Sequence, residues 1–168
     1  MRMDEGTMKQ MMEKCQPMMK QMMGDGMMKK EEEIIMSYYF NKAVNLSFDT
    51  ALAKVTEELK KEGFGILTDI DVKATLKKKL DVEFRKYRIL GACNPPFAYK
   101  ALQAEDKIGT MLPCNVIVQE ISDGQIEVTA IDPLASMQAV ENPALKEIAT
   151  EISNKLKNGY RQSIKKTS

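Results

Sequence analysis

Apolar and polar positions are unevenly arranged along the chain, and from residue 34 onward their spacing predicts folded elements. Residues 34–46 carry Tyr38, Phe40 and Val44 in partial alternation, the period-two pattern of a strand. Ser47 is a good N-cap for a helix over 48–62, where Leu52, Val55 and Leu59 recur at spacings of three and four and Gly63 supplies the stop. Residues 64–70 form a short apolar strand. Asp71 can cap a second helix over 72–80, whose last turn holds Lys77, Lys78 and Lys79, favourable to the helix dipole. Residues 87–92 read as a third strand.

Asn94-Pro95-Pro96 then opens a helix, with Asn as cap and Pro in the first turn, running to about Gln103. Residues 112–121 and 125–131 form a hairpin around Ser122-Asp123-Gly124, a strong turn signal. A short helical piece follows over 134–140. Asn142-Pro143 starts the final helix, with Leu145, Ile148, Ile152 and Leu156 along one face. There is no internal repeat. The predicted order is β-α-β-α-β-α-β-β-α, and the closing hairpin argues for an α+β sheet with at least one antiparallel pair.

Before residue 34 the pattern is different. Of the 14 methionines, 11 lie within residues 1–28, and branched or aromatic apolar residues are almost absent there. Such a segment cannot build a conventional core alone, and Gly24-Asp25-Gly26 adds flexibility. The charged run from Lys29 to Glu33 marks the boundary. The chain is therefore expected to divide into a methionine-rich segment, residues 1–33, and an α+β domain, residues 34–168.

Charge excludes more than it assigns. With 25 basic and 24 acidic residues, the net charge is +1, which leaves no basic excess to form a nucleic-acid footprint. No apolar run approaches the roughly 18 residues of a membrane span. The N-terminal residues, interrupted by Asp4, Glu5, Lys9, Glu13 and Lys14, lack the apolar stretch of a secretion signal, so a cytoplasmic location is expected. Three scattered cysteines, Cys15, Cys93 and Cys114, are too few for a disulfide framework. The chain has no histidine. This removes Ser–His and Cys–His catalytic sets and histidine-based zinc sites; a metal would need Cys, Met, carboxylate or backbone ligands.

Three blocks, GFGILTDIDVKATLKKKLDVEFRKYRILGACNPPFAYKAL (63–102), IGTMLPCNVIVQE (108–120) and VTAIDP (128–133), closely resemble the bacterial and archaeal family known as domain of unknown function 302. The resemblance spans about residues 38–160 and leaves the methionine-rich segment outside. It implies helices packed on a mostly antiparallel sheet and frequent homodimers. It implies no established activity.

Two cysteines fall in these blocks, each followed by asparagine: Cys93-Asn94 and Cys114-Asn115. Cys93 lies at a strand end and Cys114 at a strand start. If the two strands are antiparallel, as the family's sheet favours, the cysteines share a sheet edge. The N-terminus of the helix from Pro95 would then lie near Cys93, where it lowers a thiol pKa and can bind an anion. Cys93 and Cys114 are thus candidate catalytic or redox residues. The competing reading is two small buried hydrophobes, with Asn and Pro explained by capping and turns. A small-molecule pocket at that edge would draw on Asn94, Tyr99, Asn115 and Asp132. Asp69, Asp71 and Arg88 are further candidates for its mouth. Lys100 reads equally well as a solvated surface lysine. Gly63-Phe64-Gly65 lacks the remaining residues of a phosphate-binding loop.

The N-terminal segment carries a different chemistry. Thioether and thiolate sulfurs are soft donors that select Cu(I) over Mg²⁺, Ca²⁺ or Mn²⁺. Met8, Met11, Cys15, Met18 and Met22 step by three, four, three and four, one stripe on a helix, and Met12, Met19 and Met23 widen it. Pro17 would break or kink such a helix near Gln16, leaving two short pieces. A methionine-rich face can also grip apolar partners or pack on the domain, because its side chains are flexible and polarizable. A segment without a specific role is the third reading. Three functions stay open at this level: a Cu(I) or other soft-metal binding protein, a thiol-based redox protein or enzyme, and a small-molecule binding module.

Overall fold

The structure, a computed structural model, describes residues 37–163. Five strands, β1 (Tyr39–Val44), β2 (Gly65–Asp71), β3 (Tyr87–Cys93), β4 (Cys114–Ser122) and β5 (Gln125–Ile131), form one sheet in the order β1-β5-β4-β3-β2. Every neighbouring pair is antiparallel. Helices α1 (Phe48–Lys61), α2 (Val72–Leu80) and α3 (Pro95–Ala104) alternate with the first four strands, and the single turn α4 (Pro133–Ser136) and α5 (Pro143–Ser163) follow β5. Two 3₁₀ segments, Asp106–Met111 and Met137–Ala139, complete the order. This is the predicted α+β order, with α2 at its expected bounds.

Local sequence sets the helix starts. Ser47 Oγ accepts from the Thr50 amide at 3.2 Å, and Asp71 Oδ1 accepts from the Ala74 amide at 2.8 Å, each satisfying a first-turn donor. Asn94 departs from expectation. Pro95 does open α3, but the Asn94 side chain makes no cap bond; its Nδ2 donates to the Glu62 carbonyl at 3.2 Å instead. Asn94 is buried against the C-terminal end of α1, and a carbonyl left over at that helix end is the partner within reach.

Alternation along the strands gives the sheet two unlike faces. Leu90 and Ala92 of β3, Cys114, Val116 and Val118 of β4, and Ile126, Val128 and Ala130 of β5 point to one side. There they meet Ala51, Val55 and Leu59 of α1 and Ile152, Leu156 and Tyr160 of α5. At Gly159 the two helices come close: a Cβ there would lie 3.3 Å from the Glu58 carbonyl oxygen and 3.4 Å from Leu59 Cα. The Tyr160 ring stands edge-on to Phe40, with centroids 5.1 Å apart. A second, smaller core gathers Ala101, Ile108, Met137, Leu145 and Ala149. Among the described residues no helix is long and apolar enough to cross a membrane.

Candidate functional site

The antiparallel pairing of β3 and β4 brings the two cysteines of the folded domain to one sheet edge. Ala92 lies opposite Cys114, so Cys93 is one residue beyond Cys114's partner. Both line a small apolar cavity of about 30 Å³, with Phe97 of α3 and Ile152 of α5 among its walls. Cys114 is buried and Cys93 half-buried; neither is in a disulfide. The thiol chemistry differs from the helix-activated thiolate expected at Cys93. Burial pushes the Cys93 thiol above its ordinary value, although α3 begins two residues later. Burial, helped by the charge of Cys93, pushes Cys114 up to about 11. Low dielectric disfavours the anion here.

The other pocket residues read from sequence are dispersed. Asn94 lines the thiol cavity, with its amide engaged on Glu62. Tyr99 is exposed on α3, its hydroxyl accepting from Gln103 Nε2 at 3.1 Å. Asn115 belongs to the opposite sheet face, across from Gly91. Asp132 has a structural assignment: Oδ1 accepts from the Leu134 amide at 3.1 Å and from Ser153 Oγ at 2.7 Å, while Oδ2 pairs with Lys157 Nζ at 3.1 Å. Arg88 does gather Asp69 and Asp71, through a two-pronged contact to Asp69 at 2.7 and 2.5 Å and a longer one to Asp71 at 3.4 Å. Lys100 Nζ sits 5.3 Å from the centre of the Phe97 ring. Met8, Met11, Met12, Cys15, Met18, Met19, Met22 and Met23 lie outside the described residues. Among the described residues no three His, Cys, Asp or Glu side chains gather as a metal-ligand group.

A groove not anticipated from the sequence lies on the second sheet face. Its volume is about 480 Å³, and its walls include Tyr38, Tyr39 and Tyr87. Glu127 lines it as well. That carboxylate accepts from Asn41 Nδ2 and Gln119 Nε2, both at 2.8 Å, and from Thr129 Oγ1 at 3.2 Å. Arg85 in turn donates to Gln119 Oε1 at 2.8 and 3.1 Å and stacks over Phe84 and Tyr87. The sequence signal was the run of polar residues at alternate positions, Asn115, Gln119, Glu127 and Thr129. Only the register shows that β4 and β5 bring them together between Asn41 of β1 and Tyr87 of β3.

These features define a class: an α+β domain with one antiparallel sheet, helices on one face, and a pair of protonated thiols at a sheet edge. The chain belongs to the family described as Domain of unknown function DUF302, whose model matches residues 40–162. It is similar to the uncharacterized conserved protein DUF302 from Bacillus stearothermophilus, known from a crystal structure, with 28% identity and a TM-score of 0.70. That similarity covers 75% of this chain and 98% of the other. No curated protein matches the chain.

Proposed function

We propose that this DUF302 protein is a cytoplasmic, homodimeric binding protein whose methionine-rich segment holds Cu(I) or another soft metal ion. The observation that carries this reading is the sulfur density: 11 methionines within residues 1–28, with Cys15 among them, in a chain without histidine. Such a donor set suits a soft, monovalent ion and is poor for hard cations. Three scattered cysteines fit a reducing compartment. The homodimer rests on the family resemblance. The test is an anaerobic Cu(I) titration of the native chain against a chromogenic chelator, repeated with Cys15→Ser and with Met8, Met11, Met12, Met18, Met19, Met22 and Met23 changed to Leu. The reading requires loss of most of the bound copper in the substituted chain; equal uptake by both proteins counts against it.

A second reading, small-molecule binding, is favoured by the groove over Glu127. Its volume is in the range of ligand pockets, about 300–1,000 Å³. Aromatic walls around a carboxylate suit an organic cation. Spermidine, guanidinium and tetramethylammonium are suitable probes in a thermal-shift series. A shift with the native chain that disappears in Glu127→Gln supports this reading; identical curves for both proteins dispose of it. The thiol-redox reading is the one that the geometry favours least, since burial keeps both thiols protonated near neutral pH.

A further inference from the structure

The Glu127 carboxylate, on the second sheet face, is half-buried, and its three hydrogen bonds all come from neutral side chains. Oε2 accepts from Asn41 Nδ2 at 2.8 Å. Oε1 accepts twice, from Gln119 Nε2 at 2.8 Å and from Thr129 Oγ1 at 3.2 Å. Among the described residues no lysine or arginine forms an ion pair with it. Arg85 acts one bond away: its Nε and Nη2 both donate to Gln119 Oε1, which turns the other end of that amide, Nε2, toward Glu127.

Lone pairs decide what such a carboxylate can still bind. An ionised carboxylate has about four acceptor sites, two on each oxygen. Both sites on Oε1 are taken, so one is left, and it is on Oε2. We propose that this groove selects a methylated ammonium group, tertiary or quaternary, over guanidinium and primary ammonium ions. The proposal rests on the small-molecule reading of the groove and narrows its ligand class.

A guanidinium fork needs one lone pair from each oxygen, and Oε1 has none to give. A primary ammonium carries three N–H donors, of which Glu127 can accept one. A tertiary ammonium carries a single N–H and a quaternary one none, so neither leaves a donor unmatched. Their alkyl groups need an aromatic wall instead. Three of the chain's five tyrosines line the groove. Tyr39 lies two residues from Asn41 on the same face of β1, on the side of Oε2. The exposed ring of Tyr38 stands edge-on to it, with centroids 4.8 Å apart and planes at 74°, so the two rings form a corner. Tyr87, opposite Gln119, holds Arg85 over its ring, 5.4 Å from the centre.

The test is an NMR titration of the full chain with tetramethylammonium, methylammonium and methylguanidinium chlorides at constant ionic strength, read on the side-chain amide signals of Asn41 and Gln119. Tetramethylammonium is expected to bind roughly fivefold more tightly than either other ion. Thr129→Val keeps the side-chain shape and removes one donor, which returns a lone pair to Oε1. In that variant the preference over methylguanidinium is expected to shrink by about threefold. Tyr38→Ala, at an exposed ring, is expected to weaken tetramethylammonium binding, and Glu127→Gln to abolish it; the amide spectrum of each variant reports that the fold is kept. Equal affinities for the three ions, or a preference that Thr129→Val leaves unchanged, overturn the selectivity while the small-molecule reading stands. No response to any of the three ions overturns both.

Discussion

Ser153 Oγ donates to Asp132 Oδ1 at 2.7 Å and thereby ties the end of the sheet to the middle of α5. The same carboxylate caps α4 through the Leu134 amide and pairs with Lys157. Burial works to raise the Asp132 pKa, but the bonds from Ser153 and Lys157 outweigh it and hold the carboxyl below its ordinary 3.8. A depressed folded-state pKa contributes stability above the unfolded value, and that contribution is lost as pH falls through the folded one. Asp132→Ala is expected to cost about 2 kcal/mol at pH 7, from a lost cap and a lost charged hydrogen bond. Urea unfolding at pH 7 and at pH 3 checks both parts: the gap between variant and native protein narrows at the lower pH.

Gly91 is the more crowded of the two glycines in the strands, Gly65 and Gly91. A Cβ there would collide with Thr68 Oγ1 and lie 2.7 Å from Pro113 Cγ. The pairing of β2 with β3 shifts register beside it, between Ile66 and Thr68. Gly91→Ala is expected to destabilise by about 1–3 kcal/mol through overpacking. Adding Thr68→Ala removes one of the two collisions, so the double variant recovers part of the loss. Thermal melts of the two single variants and the double variant make the cycle; strict additivity would show that Thr68 is not the obstacle.

The thiols give a pH prediction of their own. Folding holds protons on Cys93 and Cys114 that the unfolded chain gives up from about 9, the ordinary thiol value, so stability falls as pH climbs from there toward about 11. At pH 7, in a Cys15→Ser background, Cys93 is expected to alkylate with iodoacetamide more slowly than a free thiol. Cys114 is expected to react only on unfolding. Mass spectrometry of timed samples reads both, and a Cys93 faster than free cysteine would reverse the assignment made here.

Local signals made the fold legible. Asp71 and the lysines at the end of α2 placed that helix at its observed bounds, and Ser122-Asp123-Gly124 placed the β4–β5 turn. Those residues act on neighbours a few positions away. The site was less legible because it depends on register and on contacts between distant segments. Cys93 and Cys114 were recognised as a pair that would meet if their strands ran antiparallel, and they do. Glu127 carries no local signal of its own, because its partners Asn41 and Gln119 come from two other strands. Asn94 marks the start of α3 as expected but makes an unexpected bond: its Nδ2 donates to the Glu62 carbonyl at the end of α1, and its side chain accepts from no first-turn amide of its own helix.

The most direct measurement is the copper stoichiometry of the native chain, by anaerobic Cu(I) titration against a chromogenic chelator at pH 7.5. At least one equivalent is predicted to bind, and most of it to be lost when Cys15 is changed to Ser and Met8, Met11, Met12, Met18, Met19, Met22 and Met23 to Leu. A native chain that leaves all the copper on the chelator would contradict the metal-binding reading.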